Sequence, residues 1–405
     1  MCDHPVFCLS NVRNNMQKLK KALLAGNGVC AAAVAMVLLA AAAIMWNQMN
    51  PASFTILSVG KNSYSIGRVV EVDEGDIAYD ESSDRELGLQ RVRVELQTGA
   101  HKGEVQQIAN DLSATHNIRV HEGSSVVVKI DEPGDAKPFY SIFNYNRLLP
   151  IAALIAVFAL VMIAVGGAKG AKSLLGLVFS LVMIVQVLIP GIYWGVNPVL
   201  MTLVVASLIT VLNMVLLNGL SAKTATAVAA TISGLAISAL LYAVFSGAMH
   251  LSGYNLAEAD ELIGVHVATG MDIGSLLFVG VVISALGAVM DMCMSVASSL
   301  FEMKRLHQEM TGAQVVKSGM AIGQDMIGTM CMTLILAFAG AAVLELLVLI
   351  AYGAQFESLI ASDYVAQELL QSLIGGVAVV LAVPLTAVFS GWAVARMDAR
   401  SSREV

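Results

Sequence analysis

Eight stretches of this chain are apolar over lengths that suit a crossing of a bilayer, whose hydrocarbon layer is about 30 Å thick, and no other feature restricts the fold as much. Backbone N–H and C=O groups in hydrocarbon must bond within their own segment, so each stretch is read as a helix. The first runs from Val29 to Trp46. Seven more lie near Leu149–Val165, Ser173–Trp194, Val199–Leu217, Thr224–Met249, Gly274–Ser298, Met326–Tyr352 and Leu373–Ala395. Composition agrees: 57% of residues are hydrophobic and 13% charged, against about 25% charged in soluble domains. The chain reads as an α-helical polytopic membrane protein, with the lipid bilayer as its first partner.

Lys and Arg in the connections test that count, because cytoplasmic loops carry an excess of them. Arg13, Lys18, Lys20 and Lys21 precede the first apolar run, and Met45 to Met49 offers no small-residue cleavage site, so this run is taken as an uncleaved span. With the N-terminus in the cytoplasm, cytoplasmic connections hold Lys169 and Lys172, then Lys223, then Lys304, Arg305 and Lys317, and last Arg396, Arg400 and Arg403. The opposite connections, Gly191–Asn197, His250–Asp272 and Gln355–Ser372, carry acids or no charge. An error of one span would break the alternation downstream. Both ends are therefore expected in the cytoplasm.

Between the first and second spans the pattern changes. Runs such as Ser65–Val72, Arg91–Leu96 and Ser124–Ile130 alternate apolar and polar residues, as half-buried strands do. Turn signals at Gly75-Asp76, Thr98 to Gly103, Glu122-Gly123 and Glu132-Pro133-Gly134 separate them. This predicts a small β-rich domain, an OB-like barrel or a sandwich, on the outer side. His101 and His116 are read as surface loop residues. The organisation is then a cytoplasmic tail (1–26), a first transmembrane helix (27–46), an extracytoplasmic β-rich domain (47–147), a seven-helix bundle (148–396) and a cytoplasmic tail (397–405).

Within the bundle, Ser284, Ala288, Asp291, Ser295, Ser298 and Glu302 recur at spacings of four and three and share one helix face. An Asp near the centre of a span costs about 2.5 to 3.5 kcal/mol on insertion scales and faces a partner or a cavity. Asp291 is the leading candidate for binding or relaying an ion or substrate. Asp325 is the second, read as opening the next span, with Thr329 and Thr333 continuing its face. Ser284, Ser295, Ser298, Thr329 and Thr333 would line the polar stripe, and Gly323 and Gly328 would supply a hinge. The plain alternatives stay open: small residues allow close helix packing, and an acid suits a helix start. Glu302, beside Lys304 and Arg305, reads as a solvated partner of those charges. Pro190, Pro198 and Pro384 stand where they could kink spans.

Several classes are set aside. No basic, aromatic-interleaved patch marks a nucleic-acid binder. No G-x-x-x-x-G-K-[ST] marks an ATP motor, and no H-E-x-x-H marks a zinc protease. The five cysteines give no disulfide framework, and Cys2, His4 and Cys8 match no standard zinc spacing. No cofactor and no metal are called for. Asp291 and Asp325 lie outside the Y-D and G-x-G-D contexts of intramembrane aspartyl proteases, so an enzyme is not expected.

At Gly287-Ala-Val-Met-Asp291, Ser298-Ser-Leu-Phe-Glu302, Ile322-Gly-Gln-Asp-Met-Ile-Gly-Thr-Met330 and Thr333-Leu-Ile-Leu-Ala337 the chain resembles the YibE/F-like family of bacterial multi-span membrane proteins. The Gly99-Ala-His-Lys-Gly103 loop adds to the resemblance. Where the family carries Thr-Asn, this chain has Cys331-Met332, so a role for that Asn does not carry over. The resemblance implies the architecture above, in a bacterial cytoplasmic (inner) membrane, and a permease-like protein without a settled substrate. The leading expectation is ion-coupled transport or export of a small solute or ion. The alternatives are a scaffold whose outer domain binds an envelope protein, or an intramembrane enzyme.

Overall fold

The computed structural model describes residues 28–49, 61–132, 137–254 and 259–401. The tail with Cys2, His4 and Cys8, the Pro133-Gly134 turn and residues 402–405 lie outside these. The chain forms two compact units, one over Leu57–Ala164 and one that takes up the remaining helices from Val165 onward together with the first helix.

The first unit carries one antiparallel sheet: β1 (Lys61–Asp73), β2 (Ile77–Asp80), β3 (Arg85–Leu96), β4 (Val105–Leu112), β5 (Ser125–Glu132) and β6 (Phe139–Tyr145). Its order is β2-β3-β1-β5-β6, with β4 on β3. The edge strands β4 and β6 also approach each other, so the sheet curls into a partly open barrel; of the two expected forms, the two-sheet sandwich is not the one adopted. Alternation explains the curl's interior: Val92, Val94 and Leu96 of β3, Ile108 of β4 and Val126, Val128 and Ile130 of β5 all point inward and are buried. Two buried amides hold a segment that has no ladder of its own. Gln90 donates to Val120 O at 3.1 Å and accepts from Val120 N at 3.1 Å, while Asn110 donates to Ile118 O at 2.8 Å. Gly88 is obligatory: at φ 139° a β-carbon would stand 2.1 Å from Asp76 O.

The helices are α1 (Gly28–Met49), α2 (Leu148–Met183), a π turn (Ile184–Leu188), α3 (Ile189–Tyr193), α4 (Pro198–Asn218), α5 (Ala222–Ala248), α6 (Ala259–Thr269), α7 (Ile273–Leu306), α8 (Gly312–Ala351), α9 (Phe356–Ala361) and α10 (Asp363–Ser401). Among the described residues seven helical stretches are long and apolar enough to cross a membrane, against the eight expected. The difference falls at one place. The segments near Leu149–Val165 and Ser173–Trp194 form a single stretch, Leu148–Tyr193, of 46 residues. That many residues exceed what one crossing of about 30 Å needs at 1.5 Å per residue by roughly twofold. Its helical geometry breaks at Gly167, with φ 54° and ψ −137°, a conformation that costs glycine little. Where the charge pattern placed a loop at Lys169 and Lys172, the backbone makes a one-residue break.

Two other boundaries differ. Thr311 and Gln314 form a capping box that starts α8 well before its apolar run, and α10 starts at Asp363 and not near Leu373. Pro198 is the first residue of α4, where a missing N–H is harmless, and Pro384 lies inside α10.

Packing sorts the bundle's connections onto two ends. At one end Lys223 of α5 reaches Ser298 near the end of α7, Lys304 pairs with Asp398 of α10 at 3.1 Å, and Gly312 of α8 abuts Gly391. Gly28 at the start of α1 meets Leu220 at the α4–α5 turn of that same end. At the other end Gly195 abuts Thr269 O, Tyr242 donates to Gly274 O at 2.7 Å, and Gly253 lies on Ile273. The basic connections at Lys223, Lys304 and Arg396 thus share one end, as their alternation along the sequence requires.

Candidate functional site

Helix α7 is nearly enclosed. Phe278, Val282, Ala285, Val289, Met292, Val296 and Leu300 are buried against α4, α5, α8 and α10. From Ile273 to Phe301 only two residues are exposed, Gly287 and Asp291. They stand one turn apart on the face opposite Val289, and a β-carbon at Gly287 would meet no atom within 4 Å. The carboxylate of Asp291 has no hydrogen-bond or ion-pair partner among the described residues. It therefore looks out through a narrow strip on a helix whose other sides are covered.

The stripe residues flank that strip and are partly buried. Ser284 donates to Gly280 O at 2.5 Å and accepts from Gln371 Nε2 of α10 at 3.1 Å. Ser298 accepts from Lys223 Nζ at 3.5 Å, and Ser295 O accepts from Ser299 at 3.0 Å. The strip is thus bounded by an amide at Ser284 and by a cation at Ser298. Glu302 pairs with Arg305 at the helix end, as expected of a solvated partner.

Asp325 is placed differently from the sequence reading. It lies roughly 20 Å along α8 from Gly312 at 1.5 Å per residue, not at the start of a span, so the helix-start explanation for it fails. The side of α8 that carries Asp325, Thr329 and Thr333 is exposed and lies opposite the buried Gly323 and Leu334. Thr333 donates to Thr329 O at 2.8 Å, and Asp325 has no polar partner among the described residues. Although α7 and α8 pack together, Asp291 and Asp325 share no hydrogen bond. Helix α8 runs unbroken through Gly323 and Gly328. At Gly323 a β-carbon would stand 2.1 Å from Val383, so this glycine is where α8 and α10 touch; Gly328 faces open space.

Three polar features escape sequence reasoning. Glu368 and Gln371, read as part of an outer loop, are in α10 and packed against the bundle; Gln371 is the residue that reaches Ser284. Asn213 of α4 donates to Ser180 of α2 at 2.9 Å, across a contact that Gly176 keeps open. Asn47 of α1 donates to Gln186 O and Oε1, at 2.8 and 2.7 Å, inside the π turn. Single amides within apolar runs were the available signal. Among the described residues no group of three or more His, Cys, Asp or Glu is placed to hold a metal ion.

A bundle of long apolar helices, joined to a partly open β-barrel, defines a multi-span membrane protein. The chain belongs to the YibE/F-like protein family, which matches it over residues 154–396, from inside α2 to the last turns of α10. No curated protein and no solved structure is similar enough to match.

Proposed function

We propose that this protein is a permease of a bacterial cytoplasmic membrane, which moves a small solute or ion and couples that movement to an ion gradient. It acts as a carrier and not as an enzyme. Asp291 binds or relays the coupling ion, and Asp325 assists from α8. The end of the bundle that holds Lys223, Lys304 and Arg396 faces the cytoplasm, as the positive-inside rule requires, and residues 47–147 face outward, where the barrel gates the bundle or docks an envelope protein.

One observation carries this reading. Asp291 is a carboxylate without a partner among the described residues, in the only exposed strip of α7 between Ile273 and Phe301. A charge left in hydrocarbon is costly, whereas one that meets water and passing cations is not. Gly287 keeps the strip open beside it, and Ser284, Ser295 and Ser298 provide hydroxyls along the same line. The test is accumulation of radiolabelled solutes, from a panel of cations, anions and sugars, in vesicles with an imposed pH gradient. Gradient-driven accumulation of at least one solute is expected, with loss of about 100-fold or more in Asp291→Asn, in line with other charge-stabilising groups. A scaffold would tolerate Asp291→Asn, and wild-type flux in that variant overturns the coupling role.

A further inference from the structure

Glu368 looks into a cavity of about 150 Å³ between α8 and α10. That is about the size that admits benzene in an engineered protein cavity. Ile335, Phe338, Ala342 and Leu346 of α8 wall one side, with Tyr364 and Glu368 on α10. The lining is almost wholly apolar, yet Oε2 of Glu368 is sealed from solvent and has no hydrogen-bond partner among the described residues. A carboxylate oxygen withheld from solvent without a counter-charge is unfavourable while it is charged, so the wall of this cavity holds an acid that no described residue offsets.

The chemistry of the lining selects what offsets it. A bare metal cation takes about six or more oxygen ligands, and this cavity offers few. Ser372, which with Tyr364 brings a hydroxyl side chain to the wall, donates to Leu369 O. An ammonium on a compact apolar body meets every element at once. Its N–H groups would meet Oε2, its carbon skeleton would lie among the apolar lining residues such as Ile335 and Leu346, and the Phe338 and Tyr364 rings in the wall suit cation–π contact. A second cavity, of about 210 Å³ between α5 and α10, supplies a contrast. Leu241, Phe245, Leu370 and Ile374 line it without any ionisable group, so it has nothing to prefer a cation over a neutral molecule.

We propose that the α8–α10 cavity is a binding site for a small organic cation, an ammonium on a benzene-sized body, with Glu368 as its counter-charge. The site stands apart from the strip at Asp291, and the binding holds whether or not Asp291 relays an ion. Gln371, one turn beyond Glu368 on α10, joins the site's helix to Ser284 at the edge of that strip.

Binding of radiolabelled benzylammonium to the purified full chain in detergent, set against its neutral near-isostere benzyl alcohol, tests this. Saturable benzylammonium binding is expected, stronger than that of benzyl alcohol by about tenfold or more. Glu368→Gln should abolish the preference without lowering the thermal unfolding midpoint, and Asp291→Asn should keep it. The proposal is overturned by an absence of saturable binding, by equal binding of the alcohol, by a preference that survives in Glu368→Gln, or by loss of binding in Asp291→Asn, which moves the site to α7.

Discussion

Burial and pairing decide which single side chains carry information here. His101, read from the sequence as a loop residue, is indeed on the loop before β4, but its ring is held on both sides. Nε2 lies 3.2 Å from Glu132 and Nδ1 lies 3.1 Å from Glu104, with Tyr140 edge-on at 6.0 Å. The hydrogen bonds to Glu132 and then Glu104 raise the His101 pKa above its ordinary 6.5. Those from His101 and then Gln106 lower the Glu104 pKa below 4.5. A raised base stabilises the fold below its unfolded pKa and loses that contribution as pH climbs through the folded value; a lowered acid does the reverse. The staple is therefore complete from about pH 4.5 to 6.5 and loosens above that window. Amide hydrogen exchange in Gly99–Gly103, corrected for intrinsic pH dependence, should lose protection as pH rises above 6.5, and His101→Gln should show no such change. Equal loss in both proteins would rule the staple out. Its partner on β5 could not be read from sequence, because a contact over this separation depends on strand register.

The helices show what a hydropathy pattern conveys and where it stops. Asp291 and its stripe were legible, since a 3.6-residue period fixes which residues share a face without knowledge of any neighbour. The starts of α8 and α10 were not, because both helices begin in polar sequence that an apolar window passes over. For α8 the signal was present: Thr311 followed by Gln314 is a capping box. For α10 the missed turns are those that bring Glu368 and Gln371 into the bundle. Glycines divide in the same way, as identity alone cannot tell a contact from a hinge. Gly323→Val places atoms where Val383 already stands, and overpacking of that kind costs about 1 to 3 kcal/mol. It should lower the thermal unfolding midpoint of the detergent-purified protein, while Gly328→Ala, facing open space, should leave it within error. Equal midpoints for the two variants would contradict the α8–α10 contact.

On the scale of the whole molecule, the charge alternation and the packing agree on a two-ended bundle, although neither rests on the other. Loop composition foretold which connections belong together, and Lys304 with Asp398, Lys223 with Ser298 and Gly312 with Gly391 are the contacts that join them. The barrel was legible as alternating strands, but not the approach of β4 to β6, nor the way Gln90 and Asn110 hold a segment that has no strand pattern. The transport proposal rests on the open strip of an otherwise covered α7, and it requires that water reach that strip. The direct measurement is the reaction of Gly287→Cys, in a background without the native cysteines, with a charged, membrane-impermeant methanethiosulfonate in sealed vesicles. Modification from the aqueous phase, with Val289→Cys unreactive as the buried control, is the predicted result. Reaction only with a lipid-soluble maleimide would place Gly287 and Asp291 against the bilayer and contradict an ion path along α7.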